Sequence, residues 1–226
     1  MLIKSGLKMI VAIDGPAATG KSTSAKLVAQ KLGFTYMDTG AMYRCVTLSV
    51  LRNHIALADE EALQLLNQEM DIHFERTDDN LVVRLNKEDV STLIRKPEVT
   101  SHVSAVSALP QVRNHMVAIQ RKIAKNQDCV IEGRDIGTIV FPKADVKFFL
   151  VADDFVRAKR RQLDLKAIGE EKTIDELVEE IRRRDRFDSE RSHSPLKKAD
   201  DAIEVDTSQL TIDEQVDFMV NKVRNH

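Results

Sequence analysis

MIVAIDGPAATGKST, residues 9–23, is the most informative stretch of the chain. Its first five residues, Met9 to Ile13, are apolar, and Asp14 ends the run. A short apolar run closed by a polar residue reads as a buried strand. Gly15-Pro-Ala-Ala-Thr-Gly20-Lys21-Ser22 follows and fits the pattern G-x-x-x-x-G-K-[ST]. Residues 21–32 then read as a helix, with Ala25, Val28 and Leu32 on one face and Gly33 just past the end. Strand, glycine-bearing loop and helix in that order predict an anion cradle. The loop amides and the free N–H groups of the helix start converge on one point.

The residue types suit that task. Gly15 and Gly20 allow a backbone path that side chains would obstruct. The Lys21 ammonium can reach β- and γ-phosphates, and the Ser22 hydroxyl can ligate Mg²⁺. Working outward, CVIEG (residues 129–133), VKFFLV (146–151) and AIEVD (202–206) are further strand candidates separated by helical segments. The expected fold class is therefore α/β, a P-loop NTPase fold with a parallel five-stranded sheet flanked by helices. Thr173-Ile-Asp-Glu176 and Thr211-Ile-Asp-Glu214 both match a capping box and start two late helices. Residues 72–85 break the rhythm. They alternate in polarity around Asp78-Asp79-Asn80, like a hairpin inserted into the main fold.

Composition narrows the class. The 226 residues carry 34 Lys plus Arg against 36 Asp plus Glu, a net charge of −2, which gives no basic footprint for nucleic acid. No apolar run approaches the roughly 20 residues that span a bilayer, and the N-terminus lacks the features of a secretory signal. Cys45 and Cys129 form neither a disulfide framework nor a metal-ligand spacing. A cytoplasmic protein is expected, acting as a monomer without nucleic-acid or membrane partner.

Several P-loop classes compete. Asn86-Lys-Glu-Asp89 matches the N-K-x-D guanine reader of switch GTPases. Such proteins also need an Asp-x-x-Gly switch, and none of the eight glycines has Asp three positions before it. Residues 86–89 therefore read as a polar turn. A non-catalytic nucleotide-binding module and a P-loop kinase for some other nucleoside monophosphate or small metabolite are the remaining rivals. The arginines decide among them. A kinase acting on a nucleoside monophosphate needs guanidinium groups away from the P-loop to hold the acceptor phosphate and to neutralise the transferring group. Candidates lie in Asp38-Thr-Gly-Ala-Met-Tyr-Arg44, in Glu132-Gly-Arg-Asp-Ile-Gly-Thr138 and in Arg182-Arg-Arg-Asp-Arg-Phe-Asp-Ser-Glu-Arg191. The first two follow strand ends, where ligands bind in open α/β sheets.

IDGPAATGKST, MDTGAMYR, EGRDIGTIVFP and RRRDRFDSER, in this order, resemble the bacterial cytidylate kinase family of nucleoside monophosphate kinases over essentially the whole chain. The resemblance implies phosphorylation of CMP and dCMP by ATP with Mg²⁺. It implies that Gly15, Pro16, Ala17, Ala18, Thr19, Gly20, Lys21, Ser22 and Thr23 hold the ATP phosphates. Arg44 and Arg134 would grip the acceptor phosphate. Thr39, Arg113, Asp135 and Arg191 would read cytosine, and Ser104, Arg184 and Asp188 would meet the sugar. Residues 157–171 would form a lid whose Arg157, Arg160 and Arg161 supply transition-state cations, Arg157 and Arg161 counted as catalytic with Lys21 and Arg134. The implied organisation is a core of residues 1–38, 104–156 and 172–226, an acceptor region of residues 39–103 bearing the hairpin, and that lid.

Chemistry supports one assignment independently. Cytosine presents an exocyclic amine where uracil presents a carbonyl, so an Asp accepts from one and repels the other. An unpaired buried polar group costs ~1–3 kcal/mol, or roughly 5- to 150-fold in discrimination. Ala17-Ala18 stands where many members have Ser or Gly, and Thr39 where others have Ser. Blander roles are expected elsewhere: Cys45 and Cys129 as small buried hydrophobes, Asp153 and Asp154 as N-caps of the next helix, and Arg182, Arg183 and Arg186 as solvated or paired with nearby glutamates.

Overall fold

The computed structural model describes residues 8–76 and 81–226. Five parallel strands form the main sheet: β1 (Ile10–Asp14), β2 (Thr35–Asp38), β6 (Cys129–Gly133), β7 (Val146–Val151) and β8 (Ile203–Asp206). Their order is β2-β6-β1-β7-β8. β1 runs in the centre, with Asp14 opposite Gly133 of β6 and Phe149 of β7. Buried parallel strands read as continuous apolar runs, as Val11, Ala12 and Ile13 do here.

β1 leads into α1 (Lys21–Leu32), which ends on Gly33 in the left-handed conformation. Gly33 and Phe34 return their amides to the last carbonyls of the helix. α1 and α8 (Ile212–Arg224) cover one sheet face. Ala25, Val28, Val216, Met219, Val220 and Val223 pack there against Val11, Ile13, Phe148 and Leu150. α6 (Asp154–Lys166) and α7 (Ile174–Glu190) share a separate core of Ala158, Leu165, Leu177 and Ile181. Both expected capping boxes form, at Thr173 and at Thr211. Asp153 caps α6 by accepting from the Phe155 and Val156 amides.

The chain divides into two compact units, one comprising the described residues up to Asp38 with Arg121–His226, the other Thr39–Gln120. The second unit holds α2 (Thr39–Arg52), α3 (Glu60–Glu69), the antiparallel sheet β3 (Ile72–Arg76), β4 (Leu81–Leu85) and β5 (Glu88–Asp89), then α4 (Pro97–Ala108) and most of α5 (Pro110–Ala124). It runs on to Gln120, past residue 103. The expected hairpin is β3–β4. Its turn at Asp78-Asp79-Asn80 lies outside the described residues. The short third strand, β5, was not legible in the sequence. It forms because Asn86 and Lys87 both take positive φ, 49° and 72°, and reverse the chain between Leu85 and Glu88. The residues that mimic a guanine reader are thus a two-residue hairpin turn, Asn86-Lys87, followed by the strand residues Glu88 and Asp89.

Candidate active site

The cradle forms as its residue types require. Gly15 has φ 146° and passes so close to β7 that an added Cβ would lie 2.2 Å from the Leu150 carbonyl oxygen. Gly20, with φ 89°, is the N-cap of α1. Ala18 also takes the left-handed conformation, φ 58°, and its methyl packs against the α6–α7 core. Small size is therefore only half of what this position asks, because an L-residue pays strain there. Lys21 is buried, and its ammonium donates to the Pro16 carbonyl and, at 3.4 Å, to the Thr19 hydroxyl. Burial first, then the nearby guanidinium groups of Arg134 and Arg184, push its pKa well below the usual lysine range. An arriving triphosphate would act in the opposite sense and favour the charged ammonium.

A carboxylate not anticipated from the sequence faces this lysine. Glu132, the fourth residue of β6, is buried and accepts from the Ser22 hydroxyl at 2.9 Å and from the Tyr36 hydroxyl. Burial and the neighbouring buried Asp38 raise its pKa, which Lys21 opposes. The signal was present, since Asp38 ends β2 and Glu132 stands opposite it near the end of the neighbouring β6, but a lone carboxylate near a strand end has many roles. Among the described residues no group of three or more His, Cys, Asp or Glu could hold a metal ion. One serine hydroxyl with carboxylate oxygens beside it fits Mg²⁺, which keeps its waters and takes most other ligands from phosphates.

Two ion pairs tie the end of β6 to α7 and the residue beyond it. Arg134 Nε donates to Asp188 at 3.1 Å, with Asp188 only 4% exposed. Arg191 and Asp135 approach to 3.9 Å, both 5% exposed. The expected acceptor residues Arg134, Asp135, Asp188 and Arg191 thus meet one another in the first unit, and Arg184 comes near enough to Lys21 to act on its charge. Buried charges persist when paired, and the hydrogen bond to Asp188 also holds the Arg134 guanidinium in one orientation.

The lid residues fall at different depths. Arg157 is buried rather than exposed on a tip. Its Nη atoms donate to Asp185 at 2.5–2.6 Å and to Asp154 at 3.0 Å. Asp185 in turn accepts the Ala17 amide of the cradle at 3.3 Å, so Arg157 is one residue removed from the phosphate loop. Burial raises the Asp185 pKa although Arg157 opposes it. Arg160 donates to the Thr207 hydroxyl and carbonyl, and that hydroxyl donates to Thr19. Arg161 is half-buried on the same helix. Arg182 pairs with Asp154 and Glu179, and both cysteines are buried, neither in a disulfide.

In the second unit Thr39 and Arg44 stand on α2, Ser104 on α4 and Arg113 on α5. Arg113 is buried, donates to the Ser107 carbonyl at 3.3 Å and lies 5.4 Å over the Tyr43 ring. A guanidinium stacked on an aromatic face is held flat, with its edge available for planar recognition.

Comparison with known proteins agrees with this geometry. The cytidylate kinase profile matches residues 11–225. A cytidylate kinase of Geobacillus sp. strain WCH70 is 51% identical over 213 residues, covering 94% of this chain and 95% of its own. One from Syntrophotalea carbinolica is 47% identical over 216 residues, covering 96% and 92%. A solved structure from Eubacterium ventriosum, described as uncharacterized, shares the fold with TM-score 0.50 at 12% identity, over 97% of this chain and all of that one. With a P-loop cradle, arginines paired to carboxylates in the same unit and a family match over nearly its whole length, the chain belongs to the cytidylate kinase family.

Proposed function

We propose that the protein transfers the γ-phosphoryl group of ATP to CMP and dCMP, giving CDP and dCDP by direct in-line displacement. The observation that carries this reading is the meeting of Lys21 with arginines from distant segments. Arg134 and Arg184 both act on its ammonium, and Arg134 is itself held by Asp188. One cradle needs one cation for its triphosphate; further guanidinium groups beside it suit a second phosphorylated ligand.

Residues 15–23 hold the triphosphate through their amides, with Lys21 neutralising charge on the transferring group. Arg44 and Arg134 take the acceptor phosphate and fix its attack geometry. Thr39, Arg113, Asp135 and Arg191 read the base, and Ser104, Arg184 and Asp188 meet the sugar. The catalytic residues are Lys21, Arg134, Arg157 and Arg161. Residues 157–171 act as a lid, on the core of residues 1–38, 104–156 and 172–226, with residues 39–103 as acceptor region. Ser22, beside Glu132, would hold Mg²⁺, which would supply positive charge against the phosphates when bound. A general base is unnecessary, because the acceptor phosphate is already a nucleophile near neutral pH. Lid closure keeps water from the γ-phosphate. The enzyme works as a monomer in the cytoplasm.

A coupled assay of ADP release over CMP, dCMP, UMP, AMP and GMP tests the reading. Turnover of CMP and dCMP with little on AMP or GMP is expected. Preferential turnover of a purine monophosphate or of a non-nucleotide acceptor would replace it.

A further inference from the structure

Asp14 is the last residue of β1, and its main chain and side chain serve different loops. The main chain enters the phosphate cradle at Gly15. The carboxylate, 4% exposed, crosses to the loop after β6. There Oδ1 accepts the Ile136 amide at 2.9 Å and Oδ2 accepts the Gly137 amide at 2.7 Å. These two residues follow Arg134 and Asp135 directly and open a wide helical turn, Ile136–Val140. Within that turn the Ile139 and Val140 amides donate to the Asp135 carbonyl and Phe141 donates to Ile136. The first amides of a helical turn have no carbonyl of their own to meet. Asp14 supplies both missing acceptors.

Gly137 borders both this carboxylate and the Lys147 side chain. A Cβ there would lie 3.4 Å from Asp14 Oδ2 and 3.0 Å from Lys147 Cδ. A buried carboxylate is costly to keep, and a simple turn does not demand one. What an ionised carboxylate offers is two short, charge-assisted bonds to adjacent amides, a bidentate grip that fixes orientation as well as distance.

We propose that Asp14 is a positioning residue for the transfer reaction: it sets the Arg134-Asp135 pair in register with the phosphate cradle that begins at the next peptide bond. The same residue thereby anchors the donor loop through its backbone and the acceptor-reading loop through its carboxylate. This rests on Arg134 and Asp135 contacting the acceptor nucleotide. A side chain that only stabilised the fold would leave the balance between the two substrates untouched.

The test is Asp14→Asn, which keeps the shape and one acceptor but opposes an amide N–H with an NH₂ group. Losing one buried, charge-assisted bond should lower kcat/KM for CMP about 10- to 100-fold. The loss should appear mainly as a raised KM for CMP, with a reduced preference for CMP over UMP and unchanged ATP affinity in a direct binding titration. Gly137→Ala, whose methyl would press on Lys147 Cδ at 3.0 Å and touch the same carboxylate at 3.4 Å, should give the same pattern more weakly, and it decides the matter if the Asp14 variant does not fold. Equal loss of ATP and CMP affinity, or a lowered melting temperature with an unchanged KM for CMP, overturns the positioning role. Failure of the unaltered enzyme to prefer CMP would instead remove the functional reading beneath it, and that is visible without any variant.

Discussion

The phosphate cradle and the paired arginines stand side by side in the first unit, yet they are built in opposite ways. The cradle is one continuous stretch whose binding groups are backbone amides. Its demands fall on conformation: a close approach at Gly15 and left-handed backbone at Ala18 and Gly20. The paired arginines draw on residues from 28 to more than 50 positions apart, and their binding groups are side chains. Their demands fall on partners: Asp188 for Arg134, Asp135 for Arg191, Asp185 for Arg157. A backbone site should therefore break when a methyl is added, and a side-chain site when a partner is removed.

Gly15→Ala is the harshest probe of that contrast. Its Cβ would be driven into the Leu150 carbonyl, so either β7 or the loop must move. We expect roughly 2–4 kcal/mol of lost stability and loss of measurable turnover, read by thermal melting and the coupled assay. Lys21→Ala should leave melting nearly unchanged, because it removes a buried charge, while kcat falls by about 10³-fold as transition-state charge loses its partner. Near-normal turnover in that variant would move the reaction away from the cradle.

Asp135→Ala addresses the side-chain site. It should cost roughly 5- to 150-fold in kcat/KM for CMP and much less for UMP, since only cytosine donates at that edge. Equal losses would take Asp135 out of base reading and leave it as the partner of Arg191.

Asp14 joins the two regions and gives the contrast a pH dependence. Burial pushes its carboxyl up to about 6 from 3.8, against the two amides that favour the ion. Asp135 raises it further and Lys21 lowers it. The folded state thus holds this proton more tightly than the unfolded chain. Its stabilising contribution is complete below about pH 4 and is lost as pH rises through about 6, roughly 3 kcal/mol in all. Stability of the unaltered protein relative to Asp14→Asn should fall across that interval. Its kcat/KM for CMP should rise over the same interval as the ionised grip forms. Parallel melting and kinetic series would detect both trends.

Ala18→Gly should have the smallest effect. Glycine removes the left-handed strain, about 1 kcal/mol, but forfeits the methyl packed on the α6–α7 core and adds chain entropy. These oppose, so a change of stability within about 0.5 kcal/mol is expected by denaturant titration.

Much of this was legible before any coordinates. The strand, loop and helix of residues 9–33, the parallel strands, both capping boxes and the N-cap at Asp153 all follow from local rules. Each depends on residues within one turn or one strand of each other. The turn at Asn86-Lys87 was legible as a turn, but the strand it creates was not, because β5 is two residues long and exists only through pairing with β4. The Glu132–Ser22 contact, the burial of Arg157 and the grip of Asp14 were invisible for a related reason. Asp14 and Gly137 are 123 positions apart, and Ser22 and Glu132 are 110 apart.

By itself the sequence determined the shape of the cradle, since amide groups point according to local backbone angles, and Gly15, Gly20 and the start of α1 set those angles. It also determined which family the chain resembles. Only the tertiary structure decided which carboxylate holds which arginine. That pairing depends on sheet order, which brings β6 beside β1 and delivers Glu132, Arg134 and Asp135 to the cradle across more than a hundred residues of intervening chain.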